Sequence, residues 1–105
     1  MSLKTLQKIT LLADSTSGTG AGSSFSVERA KGWTFTIESA STSATVNVEA
    51  YVAGEWRAIH IEALTATGNV MVRDDHGHYE KIRANITAIA NGTVGVHATG
   101  TVDSL

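Results

Sequence analysis

Residues 33–38, WTFTIE, put Trp33, Phe35 and Ile37 on one side of an extended chain and Thr34, Thr36 and Glu38 on the other. Side chains of a β-strand alternate between its two faces. A strict period of two therefore describes a strand with one buried face and one wet face. The pattern returns along the chain. Thr5–Ala13 reads as a first strand with Ile9 and Leu11 on one face, Phe25–Glu28 as a short one, and Asn69–Arg73 as another. No segment sustains a helical period. The composition agrees: proline is absent, Gly, Ser, Thr, Ala and Val are abundant, and small and β-branched residues suit pleated sheets.

Two segments read as hairpins. In Thr45–Glu62, a two-residue loop at Ala53-Gly54 pairs Val48 with Ile59, Val46 with Ile61 and Ala44 with Ala63, which makes one face apolar throughout. The opposite face then pairs Asn47 with His60, Glu49 with Ala58 and Tyr51 with Trp56. Towards the end, Tyr79–Ile89 and Thr93–Thr101 flank Asn91-Gly92, a strong hairpin dipeptide. A two-residue loop there would set apolar residues against polar ones. A three-residue loop, Ala90-Asn91-Gly92, instead pairs Ala88 with Val94, Ile86 with Val96 and Ala84 with Ala98, with Gly92 at a bulge. Burying the wrong face would expose several aliphatic side chains at roughly 1.5–3 kcal/mol each, which outweighs any turn preference.

About seven or eight short strands at regular spacing predict an all-β antiparallel sandwich, with jelly-roll or immunoglobulin-like topology left open and a small β-barrel as the alternative. The 105 residues suffice for a single domain, 1–105. Within it Asp14–Ser24, polar and glycine-punctuated, is expected to be a flexible loop. A chain of this size buries roughly two-thirds of its unfolded surface, so it needs no metal or disulfide to fold.

Composition also narrows function. There is no cysteine, hence no disulfide, thiolate metal site or thiol nucleophile. A net charge of −2 with 17% charged residues gives no basic face for nucleic acid. No apolar run is long enough to span a membrane as a helix, and the opening MSLKTLQKITLLADS makes a poor signal peptide. GTGAG at 18–22 lacks the following helix that a phosphate loop requires. No serine sits in a nucleophile-elbow frame. No catalytic residue or cofactor is implied, and the chain is expected not to be an enzyme.

Two groups remain. Asp74, Asp75, His76 and His78 carry metal-ligating atoms, but a polar turn around Gly77 accounts for them as well. Tyr51 and Trp56 lie on the face opposite the aliphatic one, near a hairpin tip. They read either as a cross-strand pair stabilising the hairpin or as a contact point for a partner subunit or a sugar ring.

The segment Tyr79–Ile89 followed by Asn91-Gly92-Thr93-Val94 contains tyrosine, an Arg83-x-Asn85-x-Thr87 strand, a Gly-Thr turn and a valine-rich return. Together with Gly32-Trp33 and the Glu49–Trp56 hairpin, it resembles small structural proteins encoded in tailed-phage and prophage virion modules. The likeness runs from Gly32 to Thr99. It implies a β-sandwich capsid decoration, cement or head/tail-associated protein, present in a virion assembled in the host bacterial cytoplasm. Such a protein would act through contacts with copies of itself as a homo-oligomer and with other virion proteins. The resemblance offers no catalytic residues. A carbohydrate- or ligand-binding β-sandwich module is the alternative.

Overall fold

The alternating segment seeds the core. In the computed structural model, which describes residues 3–75 and 77–104, Trp33, Phe35 and Ile37 are fully buried on strand β4 (Ala30–Ser39). β4 lies inside a four-stranded sheet of order β1–β9–β4–β7, with β1 at Leu3–Thr16, β7 at Gly68–Asp74 and β9 at Val94–Ser104. The second sheet has β8 (Lys81–Ala90) and β5 (Ser43–Val52) at its centre and β6 (Glu55–Leu64) at one edge. Its other edge is a broken strand made of β2 (Gly20–Ala21) and β3 (Phe25–Ser26), both paired to β8. The two sheets face each other. Ile9, Leu11, Phe35, Ile37, Val96 and Ala98 from the first meet Val46, Val48, Ile82, Ala84 and Ile86 from the second in one apolar layer. The architecture is the expected sandwich, with nine strands among the described residues against seven or eight expected. The surplus arises in the segment read as a loop, where β1 runs on to Thr16 and Gly20–Ala21 bridges to β8.

Only β2–β3 and β5–β6 are joined within a sheet; every other connection crosses from one sheet to the other. This overturns the closing hairpin. β8 and β9 are not partners: β8 pairs with β5, and β9 pairs with β1 and β4. Asn91 (φ 56°) and Gly92 (φ 97°) do turn the chain, but they form an arch between layers. Both strands present an apolar face to the same core, so their side-chain patterns fit a hairpin and an arch equally well. The arch is tied to the one between β4 and β5. Ala40 N–H donates to Thr93 O at 2.8 Å. The buried Ser41 hydroxyl lies 2.9 Å from Ala90 O, to which it donates. A side chain on Gly92 would collide with the Ala40 carbonyl, which is why glycine stands there.

The β5–β6 hairpin is real, and its tip has the expected register: Tyr51 opposite Trp56 and Glu49 opposite Ala58. Ala53 (φ 52°) and Gly54 (φ 80°) both take the left-handed conformation that a two-residue I′ turn requires. Below the tip the register slips by one, and Val48 faces His60 while Val46 faces Glu62. Ile59 is the extra residue of a bulge. It stays against the core, whereas Ile61 is turned outward and is 62% exposed. The inward positions of this edge strand thus go to His60 and Glu62, paired at 2.9 Å. Inward-pointing charge on an edge strand discourages further strands from docking there. A second bulge, at Thr87 on β8, likewise turns Ala88 outward and Ile89 toward the core.

Candidate functional site

The wet face of the second sheet carries a built cluster, because alternation on three adjacent strands brings its members together. Tyr51 and Glu49 come from β5, Trp56 from β6, and Lys81, Arg83 and Asn85 from β8. Tyr51 and Trp56 meet edge to face with centroids 5.4 Å apart. The Arg83 guanidinium lies 4.2 Å from the centre of the Trp56 ring and Lys81 Nζ 5.4 Å from that of Tyr51. Arg83 Nε donates to Glu49 Oε1 at 2.7 Å, and Asn85 Nδ2 donates to Glu49 Oε2 at 3.2 Å. Glu49 is only 8% exposed, so its charge is removed from water and compensated by these two donors. Aromatic pairs contribute about 0.5–1.5 kcal/mol beyond area, and cation–π contacts a similar amount. The cluster is therefore pre-ordered, its side chains held by one another. One face of Trp56 is already covered by Arg83, which restricts stacking of a flat or sugar ring on that side. The sequence pattern puts Arg83, Asn85 and Thr87 on a polar face. Without the β5–β8 pairing it offers no reason to join them to Tyr51 and Trp56.

Among the described residues, Asp74, Asp75 and His78 do not converge as a set of ligands. Asp74 accepts a hydrogen bond from the Tyr79 hydroxyl, Asp75 is exposed, and the His78 ring nitrogen lies 2.6 Å from Glu28 O. His76 lies outside the described residues. Burial, helped by the adjacent Asp74 carboxylate, pushes the Tyr79 phenol up to about 12.

A second cluster occupies the wet face of the first sheet. His97 on β9 lies between Thr10 on β1 and Thr36 on β4. Its Nε2 is 2.8 Å from Asp14 Oδ1 and 3.7 Å from Glu38 Oε2, and its Nδ1 is 3.3 Å from Thr10 Oγ1. The hydrogen bond from His97, then that involving Glu38, holds the Asp14 carboxyl below its ordinary range. A depression of about 180 Å³ adjoins the group, lined by Asp14, Glu38, Ser39, Ala40, Asn69 and Thr93. Sequence reading misses it because its members lie 24 and 59 residues apart along the chain (14 to 38, and 38 to 97) and meet only through the β1–β9–β4 order.

No protein-family profile matches the chain, and no curated protein matches it. Solved structures do. The SPBc2 prophage-derived protein YomS superposes with a TM-score of 0.73 at 19% identity, covering 94% of this chain and 95% of that one. A chain from Bacillus endospore appendages, which form a novel family of disulfide-linked pili, gives 0.55 at 7% identity over 100% and 88%. PirA gives 0.50 at 16% over 93% and 92%. What these proteins share with this chain is the fold. Identities this low carry no function across. The chain has no cysteine, so it cannot reproduce disulfide linkage of the kind named for the appendages.

Proposed function

We propose that the protein is a non-enzymatic structural component of a phage or prophage particle, a capsid decoration or head/tail accessory protein that works through protein–protein contacts, including contacts with its own copies. The observation that carries this reading is the pre-ordered cluster on the outer face of the second sheet. Trp, Tyr and Arg dominate the energetics of protein interfaces, and ordering them in advance lowers the entropic cost of association. Here Trp56, Tyr51 and Arg83 sit together across strands β6, β5 and β8, with exposed Ile61 on the same face. We read the interleaved strand order as a jelly roll, an arrangement that recurs in viral capsid domains. The likeness to the prophage-derived YomS supports the same reading, and so does the resemblance of the Gly32–Thr99 segment to virion proteins.

Sedimentation velocity over a wide concentration range tests it. The tag-free protein is expected to form a discrete oligomer. Trp56→Ala, which removes the surface anchor and leaves the buried core intact, is expected to shift it toward monomer. A strict monomer at every concentration, or an oligomer indifferent to Trp56, would remove the proposed surface.

A further inference from the structure

We propose that Asp14, Glu38 and His97 form a binding site for a divalent transition cation of the zinc class, one that clips the edge strand β1 to β9 and β4. The three side chains come from three neighbouring strands and converge on one point of the outer face. Their ligating atoms all lie within 4.8 Å of one another. Ligands about 2.0–2.1 Å from a tetrahedral zinc ion stand about 3.3 Å apart. The distances from His97 Nε2 to the two carboxylates, 2.8 and 3.7 Å, bracket that value. Two carboxylates and one imidazole leave the fourth position to water, and the adjoining depression has room for it.

Two features of the chain create the convergence. The β1–β9 register shifts between Thr10 and Leu12 and again between Leu12 and Thr16, and this irregularity carries Asp14 over Gly95. Bulges re-aim side chains in this way. Gly95 then supplies the space, since a Cβ there would collide with the Asp14 carboxylate and backbone. Gly95 is also the residue opposite Glu38 on β4, so the position beneath Asp14 and beside Glu38 carries no side chain. Bringing two carboxylates together over a glycine costs repulsion unless a cation sits between them.

Thr10 completes the arrangement. Without a cation His97 Nε2–H donates to Asp14; with one bound, the Thr10 hydroxyl, 3.3 Å from Nδ1, accepts from Nδ1–H and leaves the Nε2 lone pair to the metal in place of that proton. Metal-bound histidines are commonly held through their second nitrogen in this manner, and losing that partner weakens binding by about 10–100-fold. Thr10 is thus a positioning residue and Asp14, Glu38 and His97 are the ligands. The alternative occupant is a proton: a charged His97 bridging the carboxylates with no metal.

Calorimetric titration of chelator-treated, tag-free protein with Zn²⁺ separates the two, with Co²⁺ absorption as a reporter of coordination. One Zn²⁺ per chain is expected, with Co²⁺ giving the visible bands of a low-coordinate nitrogen–oxygen site. His97→Ala is expected to abolish both signals, Asp14→Asn and Glu38→Gln to weaken affinity by about tenfold or more, and Thr10→Val by the range given for the second-nitrogen partner. Circular dichroism confirms that each variant is folded. His60→Ala, at the other histidine–carboxylate pair, is expected to leave binding unchanged. No Zn²⁺ uptake by the folded wild type, or uptake that survives His97→Ala, would overturn the site.

Discussion

Ser41→Ala probes the link between the two inter-sheet arches. Ser41 is fully buried. Its Oγ accepts from Ser43 N–H at 3.2 Å and donates to Ala90 O at 2.9 Å, with Ser43 O also in reach at 3.0 Å. The alanine variant keeps the backbone and removes one hydroxyl that serves both arches. The partners, Ser43 and Ala90, reach water, so the loss is that of an ordinary hydrogen bond, about 0.5–1.5 kcal/mol. A loss of that size is therefore expected. In urea denaturation followed by far-UV circular dichroism it appears as a lower midpoint at unchanged slope. The neighbouring Thr42 is exposed, and Thr42→Ala should stay within about 0.5 kcal/mol of wild type. Gly92→Ala adds a side chain against Ala40 O at a left-handed position, so it too destabilises. Because Gly92 and Ser41 belong to one contact region, the double variant should depart from additivity by about 0.5 kcal/mol or more. Were β8 and β9 a hairpin, Ala90 and Gly92 would have no reason to lie beside residues 40 and 41. A Ser41→Ala variant as stable as wild type, additive with Gly92→Ala, would refute the arch.

Two further outcomes are expected. Ala53 holds a left-handed φ of 52° at the first position of the β5–β6 turn, where asparagine is favoured, so Ala53→Asn should raise stability by about 0.5–1 kcal/mol in the same urea assay. Tyr79 is a phenol whose folded-state value, about 12, exceeds the unfolded one of 10.0. The folded state therefore holds its proton more tightly: the associated stability is complete below pH 10 and is lost as pH rises toward 12. Thermal melts of wild type and Tyr79→Phe should diverge across that interval, and ultraviolet titration should show a phenol ionising near pH 12.

The strands are legible because alternation is a local property. Six residues suffice to assign Trp33, Phe35 and Ile37 to the core, and all three are buried. Ile82, Ile86 and Val48 follow the same rule, and Ile59 packs against them. Pairing is less legible. The tip of the β5–β6 hairpin can be read because turn chemistry and pattern agree there. Beyond Ile59 the bulge reverses the phase, and nothing in EWRAIHIE marks where an extra residue is accommodated. The Asn91-Gly92 signal reports a turn correctly but not its destination, since an apolar face satisfies the core from either sheet. The two surface clusters are hidden for the same reason. Tyr51 and Trp56 are near in sequence and stand out, whereas Arg83 and Lys81 join them only through β5–β8 pairing. His97 gains Asp14 and Glu38 only through the β1–β9–β4 order.

The aromatic cluster and the carboxylate–imidazole group both follow from β9 lying between β1 and β4 while β8 lies beside β5. Interstrand nuclear Overhauser effects measure this directly. Backbone contacts of Val96 with Ile37 and of Ala84 with Val48 are expected, since both pairs are in register. Backbone contacts between Ile86 and Val96, or between Ala84 and Ala98, would place β8 and β9 in one sheet and contradict the arrangement.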